Sequence, residues 1–178
     1  MAVATTVEQK FLLRALKETK TRTDGRGLDE VRPIKIQLDS ASGSSATVQL
    51  GKTRVLAAVS CEIVRPLSHA PNEGLVTFHT EFSALSHPPS TSGGAGSWAD
   101  QELSVSRLLE KAFKRSRAVD TEGLCIQAGE KVWLIRIDVR VLDHEGNVLD
   151  CAAMAAMAAL LAFRRPEVTL DGGSVIIV

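Results

Sequence analysis

The sequence predicts an α+β fold in which helices pack on one face of a mixed or antiparallel sheet. Three observations carry that prediction. Strand-like runs flank a short turn at Gly51-Lys52, as in a hairpin. Helical periodicity is confined to separate stretches, so helices and strands segregate. One of those stretches, Asp150 to Phe163, is Ala-rich and apolar all round, which places it between other layers.

Taken in order, Val7, Phe11, Leu12, Ala15 and Leu16 recur at helical spacing with charges between them, predicting a helix over 7–20. The run Arg22-Thr23-Asp24-Gly25-Arg26-Gly27 breaks it with a turn, because Asp-Gly tolerates turn dihedrals. Ile34 to Leu38 alternates apolar and polar residues and reads as a half-buried strand. Ala46–Leu50 and Thr53–Val64 form the hairpin, and Leu75–Phe82 is a further strand. Ser, Gly and Pro dominate the next segment, predicting an exposed loop over 83–99. From Asp100, taken as N-cap, a helix to about Ala118 has Leu103, Leu108, Leu109, Ala112 and Phe113 as its apolar stripe. Lys131–Leu142 has mainly period-two burial, and His144-Glu145-Gly146-Asn147 turns the chain into the Ala-rich helix. The apolar tail Ser174–Val178 reads as a strand awaiting a neighbour.

Length and composition set bounds on function. The chain has 178 residues, 44% of them hydrophobic, which suits one domain spanning 1–178. Its 21 basic and 21 acidic residues balance. That argues against a protein that coats nucleic acid over its whole surface, yet permits a local basic row, and fits a subunit set among neighbours. Cys61, Cys125 and Cys151 lack CxxC spacing and read as free buried thiols in a reducing compartment. No signal peptide is recognisable, and the longest apolar segment, Cys151–Phe163, is too short to span a bilayer. A soluble intracellular protein is expected.

Candidate binding residues are basic. Arg107, Lys111 and Lys114 fall at i, i+4 and i+7 on one helix face, with Arg115 and Arg117 extending the charge and Glu110 opposing it locally. Cations about 5–6 Å apart can meet successive backbone phosphates, each contact releasing counterions. The competing interpretation is a solvated helix face. Arg22, Arg26 and Arg32 either clamp RNA or pair with Asp24, Asp29 and Glu30 to lock the turn. His69, His79, His87 and His144 lack metal-ligand spacing, so no metal and no cofactor are expected. Ser92-Gly93-Gly94-Ala95-Gly96-Ser97 lacks the Gly-Lys-Ser/Thr ending of a phosphate loop and reads as flexible loop. No nucleophile-elbow or zinc-protease motif is present.

An ordered set of segments resembles the RNase PH family over about Phe11 to Pro166. It comprises Arg22-x-Asp24-Gly25-Arg26, Arg32-Pro33-Ile34, the run Leu50 to Leu56, Glu73-Gly74, Arg107-Leu108-Leu109 and Arg136-Ile137-Asp138-Val139. Further segments, Ala118 to Glu122, Ala128 to Trp133, Asp143 to Asn147 and Ala162 to Pro166, are similar to the non-catalytic ring subunits of the RNA exosome. The resemblance implies an RNase PH-like (ribosomal protein S5 domain 2-like) domain. It also implies a hetero-hexameric ring of RNase PH-like subunits with RNA-binding cap subunits, threading single-stranded RNA. The implied role is 3′-to-5′ RNA processing and degradation, including rRNA maturation and mRNA turnover, in nucleus, nucleolus and cytoplasm, with no membrane partner.

The departures from active family members bear on catalysis. Active members carry Gly-Gly-Thr-Arg, whose Arg binds the attacking phosphate; here Gly146, Asn147, Val148 and Leu149 align, and Leu149 has neither donor nor charge. Lys111 and Lys114 stand where active members have arginines, keeping charge but not fork geometry. The family's second αβ half, with the acidic residues that active members use with a divalent metal, is expected to be missing. The expectation is therefore a non-catalytic RNA-binding scaffold. The alternatives are an active phosphate-dependent 3′-to-5′ exoribonuclease, or a truncated product with no independent function.

Overall fold

The computed structural model describes residues 5–22, 24–39, 43–86, 95–171 and 174–177. The chain divides into two compact units, Met1–Pro33 and Ile34–Val178.

In the first unit, helix α1 (Thr6–Arg14) opens on a capping box. Thr5 Oγ1 accepts from the Glu8 amide at 3.3 Å, and Glu8 Oε2 accepts from the Thr5 amide at 2.7 Å. The helix predicted over 7–20 is not α-helical throughout: Ala15–Thr19 winds as a π-helix and ends at Lys20, whose φ is 52°. None of its residues is buried within the unit, and Val7, Phe11 and Leu13 are exposed.

The second unit holds β1 (Ile34–Leu38), β2 (Ser45–Leu50), β3 (Thr53–Val64), β4 (Leu75–Phe82), α2 (Ala95–Ser116), β5 (Cys125–Gln127), β6 (Lys131–Asp143), α3 (Val148–Ala162), β7 (Val168–Asp171) and β8 (Ser174–Ile177). Six strands form one sheet in the order β1-β2-β3-β6-β4, with β5 alongside β6. β2 and β3 are the predicted hairpin, and Gly51, with φ 62°, supplies the left-handed residue of its turn. β4 runs parallel to β6, from Leu75↔Leu134 to Phe82↔Val141, so the sheet is mixed. A parallel pair needs a long crossover, and α2 lies within that connection. The tail strand β8 has its neighbour in β7, which the sequence reading did not identify.

Alternation sorts the side chains. Val48, Leu50, Val55, Ala57, Val59, Ile137, Val139 and Val141 are buried on one face. On the other face, Arg140–Glu81, Arg54–Asp143 and Arg136–Asp138 form exposed ion pairs at 3.3, 3.7 and 3.0 Å. Helices therefore pack on the first face, as predicted. α3 buries Cys151, Ala152, Ala155, Ala156 and Ala159, whose small side chains let helix and sheet approach closely. Among the described residues its opposite side carries no further layer: Leu149, Met157 and Leu161 are 37%, 40% and 70% exposed. α2 contributes Leu109 and Phe113, the latter with its ring centroid 4.9 Å from that of Phe78 on β4. Burying a side chain such as Leu109 stabilises by roughly 1.5–3 kcal/mol.

Three local expectations are corrected. α2 begins at Ala95, so the loop expected over 83–99 is shorter and Asp100 is no N-cap. Asp100 lies inside the helix, its carbonyl accepting from Ser104 Oγ at 2.6 Å. Gly93 and Gly94 of the Gly-rich run lie outside the described residues, as does Ser92, whereas Ala95–Ser97 are helical. Finally, Leu103, Leu108 and Ala112 are exposed, because the buried stripe of α2 is narrower than the apolar pattern suggests. The three cysteines are free: Cys151 is buried, while Cys61 and Cys125 are half-buried. Burial pushes the Cys61 thiol up, with the charge of Glu62 adding to it.

Candidate nucleic-acid interface

The basic residues singled out from the sequence fall into two environments. Arg22 and Arg26 turn inward on their own loop. Arg22 Nη2 donates to the Leu28 carbonyl at 2.6 Å, and Arg26 Nη1 donates to the Glu30 carbonyl at 3.0 Å. Arg26 Nε donates to Asp24 Oδ2 at 2.6 Å, holding the Asp24 carboxyl below its usual range. The Gly27 amide donates to Glu30 Oε2 at 3.1 Å, and the Arg22 amide to the Arg26 carbonyl at 2.9 Å. Gly25, with φ 82°, makes the reversal that brings these groups together. Arg32 is half-buried and has a partner of its own. These bonds close the loop and tie both guanidinium groups to it, Arg22 through one side-chain N–H and Arg26 through two.

The α2 cations are arranged differently. Arg107, Lys111, Lys114 and Arg115 are all exposed. Lys114 Nζ lies 2.5 Å from Glu110 Oε1 one helical turn back, so its charge is locally neutralised. Among the described residues, Arg107, Lys111 and Arg115 have no ion pair or hydrogen-bonded partner. They sit at i, i+4 and i+8, a straighter row than Arg107, Lys111 and Lys114 would make. Leu109 and Phe113, buried on the far side, anchor the helix so that this row points outward. The i+8 spacing of Arg115 and the opposing charge of Glu110 are both legible in the sequence; that Glu110 takes Lys114 as its partner is set by geometry.

The segment Gly146-Asn147-Val148-Leu149 forms the junction of β6 and α3. Thr53, fully buried, holds it: its hydroxyl donates to the Gly146 carbonyl at 2.8 Å and accepts from the Glu145 amide at 3.1 Å. Gly146 and Asn147 take φ of 92° and 58°, and Asn147 Nδ2 donates to Asp150 at 2.8 Å. Val148 is buried against the core, and Leu149, 37% exposed, presents only methyl groups at the surface. A side chain without donor or charge cannot hold an oxyanion there. Sequence reasoning overlooked Thr53, whose importance depends on a partner 93 positions away. Gly74, part of the Glu73-Gly74 pair singled out in the sequence, has a steric reason: a Cβ there would stand 2.3 Å from Leu124 Cβ and 2.8 Å from the Trp133 carbonyl. Among the described residues, no group of three His, Cys, Asp or Glu side chains is placed to hold a metal ion. No described helix is long and apolar enough to cross a membrane.

Comparison with known proteins places this geometry in context. Residues 30–166 match the 3′ exoribonuclease family, domain 1, known as RNase PH. Exosome complex component RRP45 of Homo sapiens is 44% identical over 168 residues, 94% of this chain and 37% of that protein. Its Schizosaccharomyces pombe counterpart is 41% identical over 94% of this chain and 56% of its own length. The chain thus spans well under two thirds of the relatives it matches. Among solved structures, the Archaeoglobus fulgidus exosome with RNA bound to the active site superposes with a TM-score of 0.76 at 32% identity. That match covers 88% of this chain and 61% of that one. An archaeal exosome core superposes with a TM-score of 0.72 at 31% identity, over 88% of this chain and 58% of that one.

Proposed function

Since the chain belongs to the 3′ exoribonuclease (RNase PH) family through its domain 1, we propose that it is a non-catalytic RNA-binding scaffold subunit of the RNA exosome. It takes one position in a ring of RNase PH-like subunits, beneath RNA-binding cap subunits, and guides single-stranded RNA toward a nuclease elsewhere in the assembly. The complex serves 3′-to-5′ processing and turnover of rRNA and mRNA in nucleus, nucleolus and cytoplasm. The relatives named as exosome components, at 41% to 45% identity over more than nine tenths of the chain, support that placement.

The observation that carries the RNA-binding role is the outward row Arg107, Lys111 and Arg115, unpaired among the described residues and fixed by the buried side of α2. Three cations one helical turn apart can track a phosphate backbone and derive affinity from counterion release. Leu149 supports the non-catalytic half of the proposal. Phosphorolysis needs a group that orients inorganic phosphate, and the methyl groups of Leu149 supply no donor.

The test combines assembly with activity. The chain is mixed with the remaining ring subunits and followed by size-exclusion chromatography with light scattering, then incubated with 3′-extended RNA and inorganic phosphate. Entry into a ring-sized complex with no nucleoside diphosphate release attributable to this chain is the expected result. A monomer that ignores those subunits would overturn the scaffold role. Diphosphate release that disappears on substitution within Gly146–Leu149 would overturn the non-catalytic role.

A further inference from the structure

β1 lies at the opposite end of the strand order from β4 and pairs only with β2. All five of its residues are exposed. Two hydrogen bonds fix which way its backbone groups point. The Asp39 amide donates to the Ser45 carbonyl at 3.0 Å, and because these residues continue the β1–β2 register, Asp39 faces β2. The Val59 amide donates to the Ser44 carbonyl at 2.8 Å, which turns Ser44, Ala46, Val48 and Leu50 toward β3 and leaves Ser45, Thr47 and Gln49 facing β1. Both bonds give the same alternation: Lys35 and Gln37 bond to β2, while Ile34, Ile36 and Leu38 direct their N–H and C=O groups outward.

Among the described residues, no hydrogen bond outside the ladder reaches Ile34, Ile36 or Leu38. These three are 47%, 54% and 57% exposed, so their outward groups stand open to water, a template for a further strand. Their side chains share a face with Leu50, Val48 and Ala46, their buried partners on β2. The apolar face of the core therefore runs out to the edge of the sheet without a polar border. Lys35 and Gln37 lie on the opposite face.

We propose that β1 is a self-association edge, on which β1 of a second copy of this chain pairs antiparallel about a two-fold axis at Ile36. The strand is self-complementary in that register. Ile36 meets Ile36 of the second copy and Ile34 meets its Leu38, which joins all the outward N–H and C=O groups and continues the apolar face across the junction. On the other face Lys35 stands opposite Gln37 of the second copy, so no like charges are opposed. A slip of two residues one way sets Lys35 against Lys35, and a slip the other way leaves Ile34 beyond the end of the opposing strand. This matched register, free of opposed charge, favours a second copy over an unrelated strand. Five residues make a small interface, so the dimer forms reversibly and depends on concentration. The inference does not depend on the ring assignment.

The test is sedimentation velocity on the 178-residue chain across the micromolar range, with hydrogen exchange on the same samples. A monomer–dimer equilibrium is expected. Exchange should slow with concentration at Ile34, Ile36 and Leu38 and stay constant at Lys35 and Gln37, which already bond to β2. Ile36→Pro removes the outward N–H at the two-fold axis without touching the β2 ladder, and should weaken the dimer about tenfold or more. Gln37→Glu sets a carboxylate opposite Lys35 of the second copy, twice per dimer, and should tighten it about threefold at low salt, a gain lost at high salt. Because position 37 is exposed, that variant carries the test even where Ile36→Pro fails to fold. A monomer at every concentration, a dimer that Gln37→Glu weakens or leaves unchanged, or protection centred on α3 instead of β1 would each overturn the proposal.

Discussion

The loop around Asp24 and the outer side of α2 both carry dense positive charge, yet they use it in opposite ways. Arg22 and Arg26 each donate to a backbone carbonyl of their own loop, and Arg26 also holds Asp24. Arg107, Lys111 and Arg115 have no such partner among the described residues. A cation that satisfies internal acceptors stabilises a turn, whereas one left to water can exchange its counterion for a phosphate. The difference lies in the acceptors each backbone brings within reach rather than in charge density.

That comparison can be broken experimentally. The largest effect is expected for Arg107→Ala/Lys111→Ala/Arg115→Ala, which should weaken RNA binding by a ring containing this chain at least about tenfold at moderate salt. Its melting temperature should hardly change, since all three side chains are exposed. Arg26→Ala should do the reverse: RNA affinity stays put, while amide exchange at Gly25 and Gly27 accelerates about tenfold as the loop loses its ties.

Acidification sharpens the same contrast. The Arg26 guanidinium holds Asp24 below its ordinary value, so its contribution is fully present above the unfolded-state value and is lost as pH falls through the lower folded-state value. NMR titration should show the signals of this loop shifting below the normal carboxylate range. The smallest effect is expected for Glu110→Ala/Lys114→Ala, which removes a pair of no net charge and should change RNA affinity less than about twofold. A loss as large as that of the triple variant would show that the pair opens for RNA.

Much of the fold was legible because its signals are local. Alternation identified β2 and β3, and Gly51 marked their turn. The parallel pairing of β4 with β6 was not legible, because it joins segments about sixty positions apart and leaves no mark on either strand's pattern. The start of α2 was placed at Asp100 because Gly96 and Ser97 read as loop, but the helix continues back through them. At the site, helical spacing points to Arg107, Lys111 and Lys114 with Glu110 opposing them, and the pairing of Glu110 with Lys114 is what moves the third place to Arg115. The arginines of the first loop remained ambiguous in the sequence, since their acceptors are backbone carbonyls that composition does not reveal.

We propose that the α2 row, and not the loop arginines, engages the RNA backbone. It is tested most directly by the salt dependence of single-stranded RNA affinity, measured for the wild-type ring, the α2 triple variant and Arg26→Ala. The account predicts that the slope of log K against log salt falls by about 2 for the triple variant, about 0.7 per lost phosphate contact, and is unchanged for Arg26→Ala. An unchanged slope for the triple variant, or an equal fall for Arg26→Ala, would contradict it.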